Sequence, residues 1–277
     1  RPRRCTMSPM NDTVYLRCIR PSCGATYELH AQIYECTKCG NLLDVAYDWP
    51  RLPPPKSLSF FQQRWATRDR AIDHSGVWRF RELLPFAAPE ELVTVREGQT
   101  LLQSVDVQPL GIPLKPGRLH LQYEGMNPSG SFKDNGMAAA FTMARKLGCP
   151  RVGCASTGNT SASMALYAAK THLADGKLMQ AIVFIGEGKI AYGKLAQALD
   201  YGALTLQVAG DFDACMKRIR EATDRLGLYL MNSVNPFRLE GQKTIMYRVL
   251  EGLGWEPPDW IFVPVGNLGN SSAFGKA

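Results

Sequence analysis

Apolar and polar positions along this chain follow two rhythms. Residues 119–124 alternate at period two and predict a strand, while residues 137–147, rich in Ala, Met and Phe, predict a helix. The same order recurs downstream. Residues 151–155, 180–185, 204–209 and 228–231 read as strands, and residues 260–265 as a further apolar one. Helices are predicted over 162–170, 191–201, 212–226 and 241–253, with apolar residues at helical spacing in 212–226. Strands interleaved with helices predict an α/β fold built on parallel sheets.

Upstream the rhythm is different. Residues 12–48 hold Cys18 and Cys23, separated by four residues, and Cys36 and Cys39, separated by two. Gly24 and Gly40 follow the two pairs and suit the tight turns of a metal knuckle. Thiolates at these spacings can close a tetrahedral zinc site, and four of them leave no open position for catalysis. Four reduced cysteines without metal are the alternative. Residues 27–34, between the pairs, predict a hairpin. A proline-rich link follows over residues 49–58, then a polar helix over 59–75 and a short one over 77–84. The organisation expected is a zinc-ribbon-like module (12–48), a linker (49–58) and a catalytic domain (59–277).

Composition narrows the classes. The net charge of +7 over 277 residues is spread along the chain; its densest cluster is Arg1, Arg3 and Arg4. No basic stripe with interleaved aromatics points to nucleic acid. No apolar run approaches the ~18–20 residues of a membrane span, and no signal-peptide apolar region is present. Cys5, Cys149, Cys154 and Cys215 are scattered, which does not make a secreted disulfide framework. A reducing, cytoplasmic setting is expected. The first residue is Arg, so Met7 and Met10 are possible true starts. His30, His74, His120 and His172 stand isolated and read as structural.

The chemistry concentrates at residues 125–136. Ser131 and Asp134 have capping-box spacing, which places Lys133 in the first turn of a helix. There the helix dipole lowers an ammonium's pKa, and only the neutral amine attacks a carbonyl. Two further loops, Ser156-Thr157-Gly158-Asn159-Thr160 and Gly266-Asn267-Leu268-Gly269-Asn270, each follow a predicted strand and open a predicted helix. Such junctions present free backbone N–H groups to an anion. Plain turns of Gly and Asn are the alternative for each. A lysine and two anion cradles together form the residue set for pyridoxal phosphate.

On these stretches, and on residues 232–244, the chain resembles the fold-type-II pyridoxal-phosphate enzymes, and among them the threonine synthases. The resemblance implies a tryptophan-synthase-β-like fold and the conversion of O-phospho-L-homoserine to L-threonine. It implies that Lys133 carries the cofactor and acts as general base, and that Asn159 meets the cofactor's phenolic oxygen. Gly266, Asn267, Leu268, Gly269 and Asn270 would hold the cofactor phosphate, and Ser156, Thr157 and Thr160 the substrate carboxylate. Asn232, Ser233 and Arg238 would face the substrate phosphate; a guanidinium suits a phosphate because it binds one bidentately. It also implies a homodimer of the full-length protein. The chain departs from the family at Asn135, where many relatives carry Arg, and at residues 97–102, which lack an expected proline. It also stops at Ala277, seven residues past Asn270. A C-terminally truncated fragment with weak cofactor binding is therefore expected. The competing readings are a threonine/serine dehydratase, a cysteine synthase, or a zinc-ribbon binding module on an inactive scaffold.

Overall fold

The structure, a computed structural model, describes residues 13–187 and 190–277. The Arg1, Arg3 and Arg4 cluster, Cys5, Met7 and Met10 lie outside the described residues. The cysteine-bearing segment is an antiparallel sheet in which β1 (Val14–Cys18) lies between β2 (Thr26–Glu28) and β3 (Leu43–Tyr47). Val14, Leu16 and Cys18 point inward on alternate positions, as period-two pleating requires. The hairpin therefore joins β1 to β2 and does not lie within residues 27–34. Gly24, at φ 61°, supplies the left-handed residue at the turn, and the chain leaves the sheet after Glu28.

Residues 59–84 fold differently from the two helices expected. They form α1 (Ser59–Gln63), α2 (Ala71–His74) and 3-10 turns at Arg64–Thr67 and Trp78–Leu83. The segment is polar with no continuous apolar stripe to dock a long helix. Instead it wraps around Phe61, Trp78 and Phe80, all fully buried. Next, β4 (Leu101–Val105) pairs antiparallel with β5 (Leu119–Tyr123). The β5 strand was anticipated from its alternation.

The remaining chain alternates as expected: α3 (Lys133–Lys146), β6 (Arg151–Ala155), α4 (Asn159–Ala168), β7 (Gln180–Ile185), α5 (Tyr192–Asp200), β8 (Leu204–Gln207), α6 (Phe212–Leu226), β9 (Tyr229–Leu230), α7 (Pro236–Gly252) and α8 (Gly269–Lys276). The strands form a parallel sheet in the order β8-β7-β6-β9. Both faces are covered, as a parallel sheet demands. Val152, Cys154, Val183 and Ile185 join the large core cluster with α3 and α4. Ala155, Ile182 and Phe184 pack on the other side against Cys215 and Ile219 of α6. Val14, Leu16, Leu43 and Val45 belong to the same large cluster, so the cysteine-bearing sheet shares its core with the rest.

The α7 helix is central. It begins five residues earlier than its periodicity suggests, because Asn235 caps it by accepting from Phe237 N at 3.0 Å. Pro236 follows in the first turn, where its missing N–H costs nothing. Its N-terminal three turns are buried, and Lys243 Nζ lies 2.8 Å from Glu240 Oε2 among them. Only glycine fits at position 241, since a Cβ there would stand 1.9 Å from Asn135 O. That contact brings α7 against the start of α3.

Residues 260–265 are not the strand expected. Trp260 and Phe262 are 81% and 88% exposed, and no neighbouring strand among the described residues takes this segment's backbone hydrogen bonds. Among the described residues, no helix is long and apolar enough to cross a membrane.

Candidate active site

Lys133 is the first residue of α3, and the loop before it is held from several sides. Asn127 Oδ1 accepts from Gly98 N at 2.8 Å, and its Nδ2 donates to Glu124 O at 2.8 Å. Gly130 adopts φ 75°, a conformation disfavoured for other residues. The capping box expected from Ser131 and Asp134 does not form. Asp134 instead reaches further back, accepting from Ser129 N at 2.7 Å and from the hydroxyls of Ser129 and Ser163. Ser163 lies on α4, so one buried carboxylate registers the Lys133 loop against the helix that follows β6. Burial pushes the Asp134 carboxyl up, an effect opposed by the Ser129 and Ser163 hydrogen bonds.

Lys133 Nζ lies over the Phe132 ring, 4.2 Å from its centre, and has no hydrogen bond or ion pair among the described residues. Its pKa is lowered to about 8, first by burial and then by the charge of Arg238. The direction is the one expected, but the cause is burial and a second cation. Arg238, on the first turn of α7, is 2% exposed. Its Nη1 donates to Met231 O at 3.1 Å, and its Nε is buried without a partner. Burial brings its pKa down to about 10. Lys194, at the start of α5, is a third cation here: its Nζ donates to Ser129 O at 2.7 Å. Lys194 carries no signal in the sequence, because nothing in its spacing separates it from other helix-surface lysines. No carboxylate pairs with any of the three among the described residues. Loading like charges around one loop without a counter-ion is costly unless an anion joins them.

The other loops behave individually. Ser156 Oγ accepts from Gly158 N at 3.2 Å, and Ser161 Oγ donates to Gly158 O at 2.8 Å, so the turn opening α4 is tightly formed. Thr157 and Thr160 are half-buried in this turn and Asn159, the first residue of α4, is exposed. A Cβ at Gly158 would meet nothing within 4 Å, which leaves room over the helix start. The Asn232 amide is committed to the backbone of Ala155, 3.0 Å in both directions, and pins the end of β6. Ser233 Oγ accepts from Asn267 Nδ2 at 3.4 Å, which joins the residue 232–233 turn to the glycine loop. Gly266, Asn267 and Leu268 precede α8, Leu268 in the left-handed region at φ 55°. Gly269 and Asn270 open the helix, and Asn270 Oδ1 is buried without a partner.

These residues fit pyridoxal phosphate: an unpaired lysine with a lowered pKa, two small-residue helix starts, and orphaned polar atoms on Arg238 and Asn270. Asn135, where the resemblance leads one to expect Arg, receives a guanidinium from α7. Arg248 donates to Asn135 Oδ1 at 2.9 Å and to Glu124 Oε1 at 2.7 Å. Burial would raise the Glu124 carboxyl, yet Arg248 and its hydrogen bonds hold it down at about 2.

The four cysteine thiols of the N-terminal sheet converge. The sulfurs of Cys18, Cys23, Cys36 and Cys39 all lie within 4.8 Å of one another, with Cys18–Cys39 at 3.5 Å and Cys23–Cys36 at 3.7 Å. Zinc–sulfur bonds of about 2.3 Å at tetrahedral angles place sulfurs about 3.8 Å apart. The Tyr27 hydroxyl, 3.1 Å from Cys36 Sγ, lowers that thiol to about 6, while burial pushes Cys18 up to about 12.

Comparison with known proteins agrees with this chemistry. A family model described as pyridoxal-phosphate dependent enzyme matches residues 93–277. The chain is 44% identical to a threonine synthase of Methanocaldococcus jannaschii over 94% of its own length, and 42% identical to one of Methanosarcina acetivorans over 95%. It spans 59% of the length of each of these relatives. Among solved structures it is similar to threonine synthase from Escherichia coli, with a TM-score of 0.60 and 20% identity over 94% of this chain and 59% of that one.

Proposed function

The chain belongs to the pyridoxal-phosphate dependent enzymes and has the fold-type-II fold, and from that premise we propose that it acts as a threonine synthase, converting O-phospho-L-homoserine and water to L-threonine and phosphate. The observation that carries this reading is the pair of cations at the site. Lys133 and Arg238 lie close enough for Arg238 to lower the lysine's pKa, and neither has a counter-ion among the described residues. A substrate bearing its own phosphate supplies one.

Lys133 would carry the cofactor, Asn159 would orient its ring, and Gly266, Asn267, Leu268, Gly269 and Asn270 would hold its phosphate. When bound, pyridoxal phosphate supplies an electron sink for a carbanion at the substrate Cα. Lys133, its pKa lowered to about 8, removes the Cα proton and returns protons to the carbon chain. Ser156, Thr157 and Thr160 hold the substrate carboxylate at the start of α4. Arg238 and Lys194 hold the substrate phosphate, assisted by Ser233, while Asn232 fixes the floor of the site through Ala155. Overall, Cβ gives up a proton and the bond from Cγ to the phosphate oxygen breaks, releasing phosphate; Cγ gains a proton, water adds its hydroxyl to Cβ, and the water's other proton ends on the phosphate. The expected result is threonine and phosphate formed in equal amounts from O-phospho-L-homoserine. Faster deamination of threonine or serine, or faster sulfide addition to O-acetylserine, would overturn this assignment.

Cys18, Cys23, Cys36 and Cys39 hold one structural zinc ion in the same proposal, supported by their convergent sulfurs. The absence of disulfides among the described cysteines suits a reducing, cytoplasmic compartment. Metal analysis of protein purified without chelator is expected to find one zinc per chain. Stripping it should lower Tm, because the small sheet's turns depend on the ion. Metal-free protein with an unchanged melt would refute this.

A further inference from the structure

One lysine joins the cysteine-bearing sheet to the helix behind the glycine loop. Lys276, in the last turn of α8, places Nζ 2.5 Å from Asp44 Oδ1 and 2.6 Å from Val45 O, both on β3. It also pairs with Glu240 of α7. Glu240 is fully buried, and it accepts from Tyr47 Oη of β3 as well as from Lys243 at 2.8 Å. Three elements thus meet at one carboxylate. Burial alone would drive Glu240 neutral, but Lys243 and Lys276 keep it charged. A buried carboxylate deprived of one of its cations is left undercompensated, so this junction has one favoured arrangement.

The α8 helix starts directly from the glycine loop, and its eight residues span about 12 Å as a rigid rod. Fixing its last turn therefore aims its first. We propose that Lys276 is a positioning residue for the cofactor's phosphate. It clamps α8 to β3, so that the N–H groups at residues 266–270 face the phosphate. The cysteine-bearing sheet thereby raises cofactor affinity without touching the cofactor. This rests on the reading that residues 266–270 hold that phosphate.

The test compares the affinity of the full 277-residue chain for pyridoxal phosphate and for pyridoxal, which lacks the phosphate. Both are followed by absorbance titration. The unmutated chain is expected to prefer pyridoxal phosphate. Lys276→Met should weaken pyridoxal phosphate binding about tenfold, the size of one lost charged hydrogen bond, and leave pyridoxal binding unchanged. Asp44→Asn, altered on the sheet side, should show the same selective loss, and Lys276→Arg should restore most of it. Equal losses for both ligands, or no loss, would overturn the clamp. If the unmutated chain binds both ligands equally, the phosphate-cradle reading itself fails and the clamp falls with it.

Discussion

Replacing Lys133 with alanine is expected to abolish covalent capture of the cofactor and to lower threonine formation by on the order of 10³-fold. Among the described residues, neither Lys194 nor Lys243 is free to substitute. Lys194 is tied to Ser129 O, and Lys243 is paired with Glu240. The unmutated chain should capture cofactor faster as pH rises through about 8, because the neutral amine is the reactive form and its pKa is lowered from 10.5 to that value. Stability rises with pH as well. The folded-state pKa lies below the unfolded one, so the unfolded chain binds more protons between about 8 and 10.5, and folding gains over that window as pH rises. Lys133→Ala should therefore leave Tm unchanged or raise it near pH 7, and flatten its rise above pH 8. A clear fall in Tm, or retained turnover, would contradict the role given to this lysine.

Arg238→Met should lower kcat/KM for O-phospho-L-homoserine by roughly 10²-fold, the scale of a lost buried charge contact to a ligand. Most of that loss is expected in KM, since the guanidinium binds rather than reacts. Because the Arg238 charge is one of the two causes lowering the Lys133 pKa, the variant's pH midpoint should move to the alkaline side of the parent's value of about 8. Cofactor retention should change little. A matching loss of cofactor, or a midpoint that moves toward acid, would place Arg238 outside the substrate's phosphate site.

How much of this was legible in the sequence depends on what each feature draws upon. The limits of β6, β7 and α6 matched their patterns, because a short apolar run bounded by turn residues and a helix with one apolar face are both local signals. Lys133, Arg238 and the four cysteines could be singled out from motif order and spacing. The expected start of α7 at residue 241 is late because residues 235–240, which lack a clear apolar period, are its cap and first turns. Residues 260–265 have the composition of a strand, but a strand needs a neighbour, and composition does not report one. Lys194 joined the site only through the approach of α5 to the Ser129 carbonyl, a tertiary contact with no trace in local pattern. Asn232 shows the converse: it stands in a motif that suggests ligand binding, while its amide is occupied by the Ala155 backbone. The causes of the lowered Lys133 pKa, burial first and then the charge of Arg238, are also tertiary.

The measurement that tests the central claim most directly is chemical trapping of the cofactor. The chain is incubated with pyridoxal phosphate, reduced with borohydride, digested and mapped by mass spectrometry. The expected result is a pyridoxyl group on the peptide containing Lys133, near one per chain, and none on Lys194 or Lys243. A label on either of those lysines, or an unlabelled Lys133 peptide, would contradict it.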